Sequence, residues 1–462
     1  MLNDYLGKSV LSEAGGAHAE VRAQVNRKSA VTIVGGNLVT NARSESGGVS
    51  ARVYQNGVWG FSSTADYNEE SVKRVINAAK DNALFLDSRV KKGKPPLPAL
   101  EIPDYRAERD FLDVPQKVFI DAAREVDAYV EKKYPGLSSR TVVSRSDCME
   151  KLLKTSEGGF AWSVMPRAYI YVFLSADTDD GETLELFEVL GGGAGYFTDY
   201  YQNPSVYYKK IDALYEQLMA KREGVFPEAG VRDCIIDSSL AGMLAHEAVG
   251  HTVEADLVLG GSVAGKNLGK PVASGLVTMV DFANTALGEK APLPLYVDEE
   301  GVICKDEVLI KDGILTGYMN NRESALHFNM EPKGNARAHE FSDEPLIRMR
   351  NTAILPGTSK LEDMISSIDD GYYFLKTQNG QADTTGEFMF GVTFGYEIKK
   401  GKLGASIRDT TISGVAFEML KTVDMLSDEM HWDTSGYCGK KQHMPVAMGG
   451  PAIKCKISVG GR

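Results

Sequence analysis

The side chains best suited to chemistry lie in one short segment, His246-Glu247-Ala248-Val249-Gly250-His251. Imidazoles bind transition metals and a neighbouring carboxylate can accept a proton from water, so this segment could carry out metal-assisted hydrolysis. In the metalloprotease pattern His-Glu-x-x-His, two histidines four residues apart share one helix face. Here the histidines are five residues apart, and on a regular helix of ~3.6 residues per turn they point roughly 140° apart. One metal ion can bind both only if the helix is distorted.

A distorted helix at the second histidine is therefore predicted. In a π-bulge, the hydrogen bond between residues five apart returns them to nearly one face, and such defects are frequent at functional sites. Gly250 precedes His251 directly and makes either a bulge or an irregular helix easier. The pair alone is weak evidence for a metal, because one imidazole could be buried and hydrogen-bonded while the other is exposed.

Catalytic zinc needs a third protein ligand and one open position. Glu254 and Asp256 lie nearby in the sequence, and Cys438 is favoured among the distant candidates because it stands in a Gly-flanked loop and thiolate binds zinc well. A lone cysteine is nevertheless more often a packing residue. Cys455 is the competitor of Cys438 as third ligand and is otherwise expected to be structural. Three further cysteines are expected to be packing residues in buried strands, namely Cys148, Cys234 and Cys304. The remaining histidines are expected to be structural or exposed, namely His327, His339, His431 and His443.

The elements that must position these residues form a β-rich C-terminal part. An apolar strand at residues 234–237 is followed by Ser238-Ser239, plausible N-cap residues for a helix over residues 239–257 that carries the histidines. From residue 276 onward, short strands alternate with Gly turns. The helical pattern that precedes this part stops in Gly and Pro at residues 224–230. We therefore predict a β-rich metallopeptidase domain at residues 225–462.

The N-terminal part, residues 1–224, is predicted to be an α+β domain of long helices and antiparallel strands. Residues 19–64 alternate apolar and polar side chains between turns, which is typical of an antiparallel meander. An amphipathic helix is predicted at residues 69–86. A second round of elements follows, with a helix at 114–133, strands at 140–175 and a helix at 205–222. The whole chain is accordingly predicted to be α+β.

Composition excludes several classes of protein. The formal net charge of −12 repels nucleic-acid phosphate, so direct nucleic-acid binding is not expected. The sequence has neither a basic segment followed by an apolar one at its start nor a long apolar stretch, so no membrane association and a cytoplasmic location are expected. Five scattered cysteines in 462 residues do not form a disulfide framework.

Several motifs in order make the chain resemble the TldD/PmbA family, on the TldD side, over essentially its whole length. The motifs are Ala19-Glu20-Val21-Arg22, the segments 47–53 and 57–64, the histidine segment extended to Asp256, Arg348-Met349-Arg350-Asn351-Thr352, Leu355-Pro356-Gly357, Gly386-Glu387-Phe388, Cys438-Gly439-Lys440, Pro445-Val446 and Val459-Gly460-Gly461.

The resemblance implies a zinc-dependent peptidase that trims unfolded or flexible peptides, such as precursors and antitoxins. It implies Zn²⁺ held by His246, His251 and Cys438, with Glu247 as general base. It also implies a dimer, either of two copies or with a PmbA/TldE-like subunit that lacks the metal motif. Glu254 and Asp256 could orient the imidazoles or be a solvated helix end.

Two other functions stay open at this point. A cysteine peptidase would use Cys438 as nucleophile and His431 or His443 as base. A non-catalytic regulatory or binding subunit would have lost its metal, against which the intact set of four site residues argues.

Overall fold

A computed structural model of the chain describes residues 11–461 except residues 12, 91, 92, 94 and 95. Within those residues the strands form two large sheets, one of eight strands from residues 18–194 and one of eleven from residues 230–459. Helices pack beside both sheets, which confirms the predicted α+β class. The predicted domain boundary at residue 224 falls between the two sets of strands and stays a prediction.

The first sheet confirms the predicted meander. Its strands are β1 (His18–Val34), β2 (Asn37–Gln55), β3 (Val58–Thr64), β4 (Asp104–Arg106), β5 (Ser139–Thr155), β6 (Phe160–Asp177), β7 (Thr183–Val189) and β8 (Gly193–Ala194). They follow the order β3-β2-β1-β5-β6-β4, with β7 and β8 also paired to β6, and β1, β2 and β3 pair antiparallel. The long antiparallel pair of β5 and β6 corresponds to the strands predicted at 140–175.

The first half of the chain, which forms the first sheet, also contains the helices α1 (Glu69–Val90), α2 (Gln116–Lys133), α3 (Phe197–Tyr200) and α4 (Tyr208–Arg222). α1 and α2 confirm the predicted helices, and α4 begins later than predicted because residues Pro204–Tyr207 form a 3₁₀ turn. Among the described residues, no helix combines the length and the apolar character that crossing a membrane requires.

Strand β1 buries both of its faces. Its apolar face packs against α1 and contains Ala19, Val21, Ala23 and Val25. Its other face carries the buried polar residues Glu20, Arg22, Gln24 and Asn26, directed at the second half of the chain. Nη2 of Arg22, for example, donates hydrogen bonds to carbonyl groups of residues 340, 341 and 343. The polar face of the first sheet is thus an interface with the half that carries the histidines.

The second half is built mainly of strands. They are β9 (Gly230–Ile236), β10 (Met279–Phe282), β11 (Thr285–Ala286), β12 (Glu289–Lys290), β13 (Glu307–Lys311), β14 (Ile314–Leu315), β15 (Ala336–Arg337), β16 (Leu346–Ile347), β17 (Asn351–Ile354), β18 (Asp370–Ala382), β19 (Glu387–Lys399), β20 (Lys402–Ile407), β21 (Thr410–Val415), β22 (Met425–Asp433), β23 (Tyr437–Cys438), β24 (Met444–Pro445) and β25 (Ala447–Val459). Three strands, β18, β19 and β25, have 13 residues each, so the expectation of short strands is only partly right.

The helices of the second half are α5 (Ser238–Met243), α6 (Ala255–Leu259), α7 (Arg322–Phe328), α8 (Leu361–Ser366) and α9 (Ala416–Lys421). α5 follows β9 directly, as predicted, and packs mainly against β25 and β18. Its residues Leu240 and Ala241 join the core of the second sheet, as does Leu244 directly after the helix. The segment that carries the histidines is therefore fixed in a core.

Candidate metal centre

The helix that carries the histidines is distorted as the spacing predicts. Residues Leu244–Gly250, which follow α5, are π-helical, and the backbone N–H of His251 donates to the carbonyl of His246. This hydrogen bond spans five residues and brings the imidazoles toward one face. The predicted continuous helix to residue 257 is wrong, because Glu254 adopts an extended conformation with φ −71° and ψ 122°. The helix restarts as α6.

Gly250 is required by a close approach of Met349. A Cβ atom on Gly250 would lie 2.1 Å from Sδ of Met349, whose side chain is fully buried. The glycine therefore lets the segment before β17 pack directly on the π-helical segment. Its importance at this position is steric.

We expect Gly250→Ala to lower the free energy of unfolding by about 1–3 kcal/mol, because the new methyl group overpacks the contact with Met349. Urea denaturation measures this loss. Gly136→Ala is the matched control, since a Cβ there meets nothing within 4 Å. Equal stability of the two variants would show that the contact with Met349 does not constrain residue 250.

The three ligands that the resemblance implies come together in the structure. Ligand atoms of His246, His251 and Cys438 all lie within 4.8 Å of one another. Sγ of Cys438 lies 3.3 Å from Nε2 of His251. Tetrahedral zinc with bonds of ~2.0–2.3 Å places its ligand atoms roughly 3.5 Å apart. The spacing of the sulfur and this nitrogen fits a shared ion.

The surroundings of His246 also fit a metal. Its side chain is 1% exposed, and neither ring nitrogen has a hydrogen-bond partner among the residues that the structure describes. A buried polar atom without a partner costs roughly 1–3 kcal/mol, and an ion bound to the imidazole would remove that cost. Two imidazoles and one thiolate are ligands that suit zinc.

The electrostatics of the cluster favour a thiolate. Burial acts to raise the pKa of Cys438, but the imidazoles of His246 and His251 outweigh it and lower this pKa to about 3. Burial acts to lower the pKa of His251, whereas Glu254 and Cys438 raise it well above its usual value. The charges around Cys438 thus stabilise the form of cysteine that binds metals.

Glu247 lies beside both imidazoles. Its carboxylate oxygens lie 4.0 Å from Nε2 of His246 and 3.6 Å from Nε2 of His251. Its side chain is 26% exposed, in contrast to the buried His246 and Cys438. A carboxylate that borders the candidate ligands and is open to solvent can accept a proton from a water molecule there.

Glu254 and Asp256 have different contacts. Glu254 is fully buried, and its Oε2 lies 2.7 Å from Nδ1 of His251. The carboxylate of Asp256 instead binds Nζ of Lys440 at 3.0 Å, and the same Nζ lies 3.1 Å from Glu254. The sequence reasoning missed Lys440 as a site residue, although it stands two positions after Cys438 in the Cys-Gly-Lys motif.

We expect Glu254→Gln to lower zinc affinity roughly 10- to 100-fold, the usual loss when a carboxylate that orients a histidine ligand is removed. Competition with a chromophoric chelator measures the affinity. Asp256→Asn is the matched control, because the carboxylate of Asp256 binds Lys440 and the backbone N–H of Leu257 rather than His251 and should change the affinity less. An equal loss in both variants would contradict a specific role of Glu254.

The remaining candidates do not join the cluster. His327, His431 and His443 are exposed, and burial lowers the pKa of the buried His339 to about 4. The four other cysteines are buried, as expected: Cys148, Cys234, Cys304 and Cys455. Cys304 is not in a strand as predicted but in a loop, while Cys455 of β25 faces Cys234 of β9. Cys455 is therefore not placed to compete with Cys438.

The chain matches known proteins along its whole length. The family model described as the PmbA/TldA metallopeptidase C-terminal domain matches residues 229–461, and the model of domain 1 matches residues 19–83. A metalloprotease from Methanothermobacter thermautotrophicus is 30% identical and covers 99% of this chain and 98% of the relative. A zinc metalloprotease TldD homolog from Saccharolobus solfataricus is 28% identical, covering 97% and 98%.

The fold is shared with a solved structure. TldE from Thermococcus kodakarensis has a TM-score of 0.75 to this chain and covers 98% of it and 99% of its own chain, at 15% identity. This likeness shows the fold, and the family models and relatives add the metallopeptidase class. The chain therefore belongs to the PmbA/TldA metallopeptidase family, as its resemblance to TldD and PmbA indicates.

Proposed function

We propose that the chain is a zinc-dependent peptidase that hydrolyses unfolded or flexible peptides, of the kind that occur in precursor trimming and antitoxin degradation. His246, His251 and Cys438 would hold the zinc. The observation that carries this proposal is the convergence of their ligand atoms within 4.8 Å, although Cys438 stands 187 residues after His251. The name of the Saccharolobus relative supports zinc as the metal.

The chain's own residues divide the work around the metal. Bound zinc supplies Lewis acidity, which polarises a peptide carbonyl and lowers the pKa of water toward ~7. Glu247 takes the proton of the attacking water and delivers it to the leaving amine. Glu254 accepts a hydrogen bond from Nδ1 of His251, so that Nε2 of this imidazole is free to coordinate. Lys440 holds Glu254 in place.

The exposure of the site residues supports a flexible substrate. His251 and Glu247 are 19% and 26% exposed, whereas His246 is 1% exposed. The cluster is therefore recessed, and solvent reaches it only partly, on the side where Glu247 lies. A flexible segment can bring its backbone to such a recessed site, which a folded surface cannot do without unfolding.

A cysteine peptidase is the second candidate, because the contact of 3.3 Å between Cys438 and His251 is also what a nucleophilic thiolate and its base would show. The structure changes that hypothesis, since His431 and His443 are exposed and His251 is the neighbouring imidazole. The cysteine peptidase mechanism gives no role to the ring nitrogens of His246, which have no hydrogen-bond partner among the described residues. The intact ligand set with Glu247 also argues against a purely regulatory subunit.

We further propose that the chain works as a dimer, with a second copy or with a PmbA/TldE-like subunit. The fold shared with TldE supports a partner of the same architecture.

Chelation distinguishes the candidates. We expect a chelator to abolish cleavage of an unstructured peptide and added Zn²⁺ to restore it, with and without a PmbA-like partner, because the ligands by themselves cannot activate water. A cysteine peptidase would keep its activity in chelator and lose it to a thiol alkylator. Alkylation alone decides nothing, since Cys438 is essential in both mechanisms. Cleavage that survives complete removal of metal would contradict the proposal.

A further inference from the structure

The loop that carries Cys438 is held by the first sheet. We call residues 434–445 the cysteine loop. Residues 434–436 belong to neither a helix nor a strand, and the backbone N–H of Val446 donates to the carbonyl of Gly436 at 3.1 Å. Further donors to the carbonyls of this segment come from the first sheet. Nη2 of Arg167, on β6, donates to the carbonyl of Thr434 at 2.9 Å and to that of Gly436 at 3.4 Å. The hydroxyl of Tyr169, also on β6, donates to the same carbonyl of Thr434.

The next residue of the loop is also bound to the first sheet. The hydroxyl of Tyr437 donates to Asp147 of β5 at 2.6 Å. Asp147 is the cross-strand neighbour of Arg167, and the guanidinium of Arg167 lies 4.8 Å from the centre of the Tyr437 ring. The first sheet therefore contacts the loop up to the residue directly before Cys438.

The buried guanidinium of Arg167 depends on the cysteine loop for part of its hydrogen bonding. Its side chain is 1% exposed, and the nearest carboxylate contact, with Asp147, is 4.0 Å long. A buried guanidinium is costly unless hydrogen bonds offset the loss of water. In Arg167 the offsetting acceptors include two carbonyl groups of the cysteine loop. These hydrogen bonds thus fix the position of the cysteine loop relative to Arg167.

A second buried arginine holds the loop from the other side. Nη2 of Arg348 donates to the carbonyl of Cys438 itself at 2.6 Å, and its Nη1 donates to the carbonyl of Lys440 at 2.7 Å. In the sequence, Cys438 follows the residues held by Arg167 and is itself the first of those held by Arg348. A metal ligand must be placed within ~0.2 Å of its bond length, so the anchoring on both sides matters for the sulfur.

We propose that Arg167 is a positioning residue of the metal centre. By holding the carbonyls of Thr434 and Gly436 it sets the place of the Cys438 sulfur, so that the first sheet contributes to the sulfur–metal bond of a site whose ligands all lie in the second half. The inference rests on the proposed ligation of zinc by His246, His251 and Cys438.

Cobalt(II) titration tests the inference without relying on activity. Cobalt replaces zinc as the probe, and its bond to a thiolate gives a charge-transfer band in the near ultraviolet. We expect Arg167→Met to bind cobalt roughly 10- to 100-fold more weakly than the wild type, the range for loss of a residue that supports a ligand. The sulfur band at saturation should also be weaker, because the thiolate is no longer held at its bonding position.

Arg22→Met is the matched control. Arg22 is also a buried arginine of the first sheet, and its Nη2 donates to carbonyls of the second half at residues 340, 341 and 343, outside the cysteine loop. If contact between the two halves were all that mattered, both variants would lose cobalt affinity equally. We expect Arg22→Met to keep the wild-type affinity and sulfur band.

Tyr169→Phe keeps the inference testable if Arg167→Met does not fold. It removes one hydrogen bond to Thr434 and should weaken cobalt binding roughly 2- to 10-fold. The inference would be overturned if Arg167→Met had the cobalt affinity and sulfur band of the wild type, or if Tyr169→Phe had them where only that variant folds. An equal loss of cobalt affinity in Arg22→Met would overturn it as well. A wild-type protein without any sulfur band would instead contradict the metal site itself.

Discussion

Replacing Glu247 by glutamine is expected to reduce peptide hydrolysis by at least ~100- to 10,000-fold, the usual contribution of a general base. Glutamine has nearly the same shape but cannot take a proton from water. Glu247 is not one of the three proposed ligands, so the variant should bind zinc as the wild type does. The measurement is the rate of cleavage of an unstructured peptide by zinc-loaded protein, together with its zinc content.

The paired readout makes the result specific. Loss of both activity and zinc would mean that Glu247 supports the metal rather than the proton transfer. Glu323→Gln is a suitable control, because it changes an acidic residue in the first turn of α7, outside the metal cluster. Cleavage at the wild-type rate by Glu247→Gln would contradict the proposed mechanism.

Cys438→Ser is expected to have the largest effect on the metal. It removes the sulfur that lies 3.3 Å from Nε2 of His251 and leaves the two histidines as the remaining proposed ligands. The loss of zinc affinity should exceed the roughly 10- to 100-fold that follows from removing a supporting residue. Equilibrium dialysis against buffered zinc measures it. Cleavage should fall in parallel, because the metal is lost.

Cys455→Ser separates this effect from the loss of any buried thiol. Cys455 is 2% exposed and lies opposite Cys234, so its variant should bind zinc normally even if it is somewhat less stable. A circular-dichroism melt shows whether each variant is folded. If Cys438→Ser binds zinc as tightly as Cys455→Ser, Cys438 is not a ligand.

Much of the candidate metal centre could be predicted from residue spacing and a resemblance. The distortion at His251 follows from helix geometry, because five residues do not return to one face of a regular α-helix. The choice between Glu254 and Asp256 could not be made, since it depends on the break in the helix at Glu254. The break turns one carboxylate toward His251 and the other toward Lys440.

The supports of the cysteine loop could not be predicted from local sequence. Arg167 precedes Thr434 by 267 residues, and Arg348 precedes Cys438 by 90. Such contacts depend on how the two halves pack. The resemblance included Arg348 in a motif but gave it no contact, and Arg167 belongs to none of the quoted motifs.

The fold shows the same limits. The alternation in residues 19–64 predicts strands correctly, but alternation alone does not show that the polar face of β1 is buried against the second half. In β25, Gly449-Gly450-Pro451 has the composition of a turn. The strand continues through it, because these three residues pair with residues 430–432 of β22. Gly449 makes room for the ring of Trp432, from which a Cβ would lie only 2.6 Å away.

X-ray absorption at the zinc edge of the purified wild-type protein tests the central claim most directly. Two imidazole nitrogens should scatter at ~2.0–2.1 Å and one sulfur at ~2.3 Å. That result would place both histidines and a cysteine on one ion, in agreement with the cluster of His246, His251 and Cys438. A zinc-loaded protein without a sulfur shell, or a protein that takes up no zinc, would contradict it.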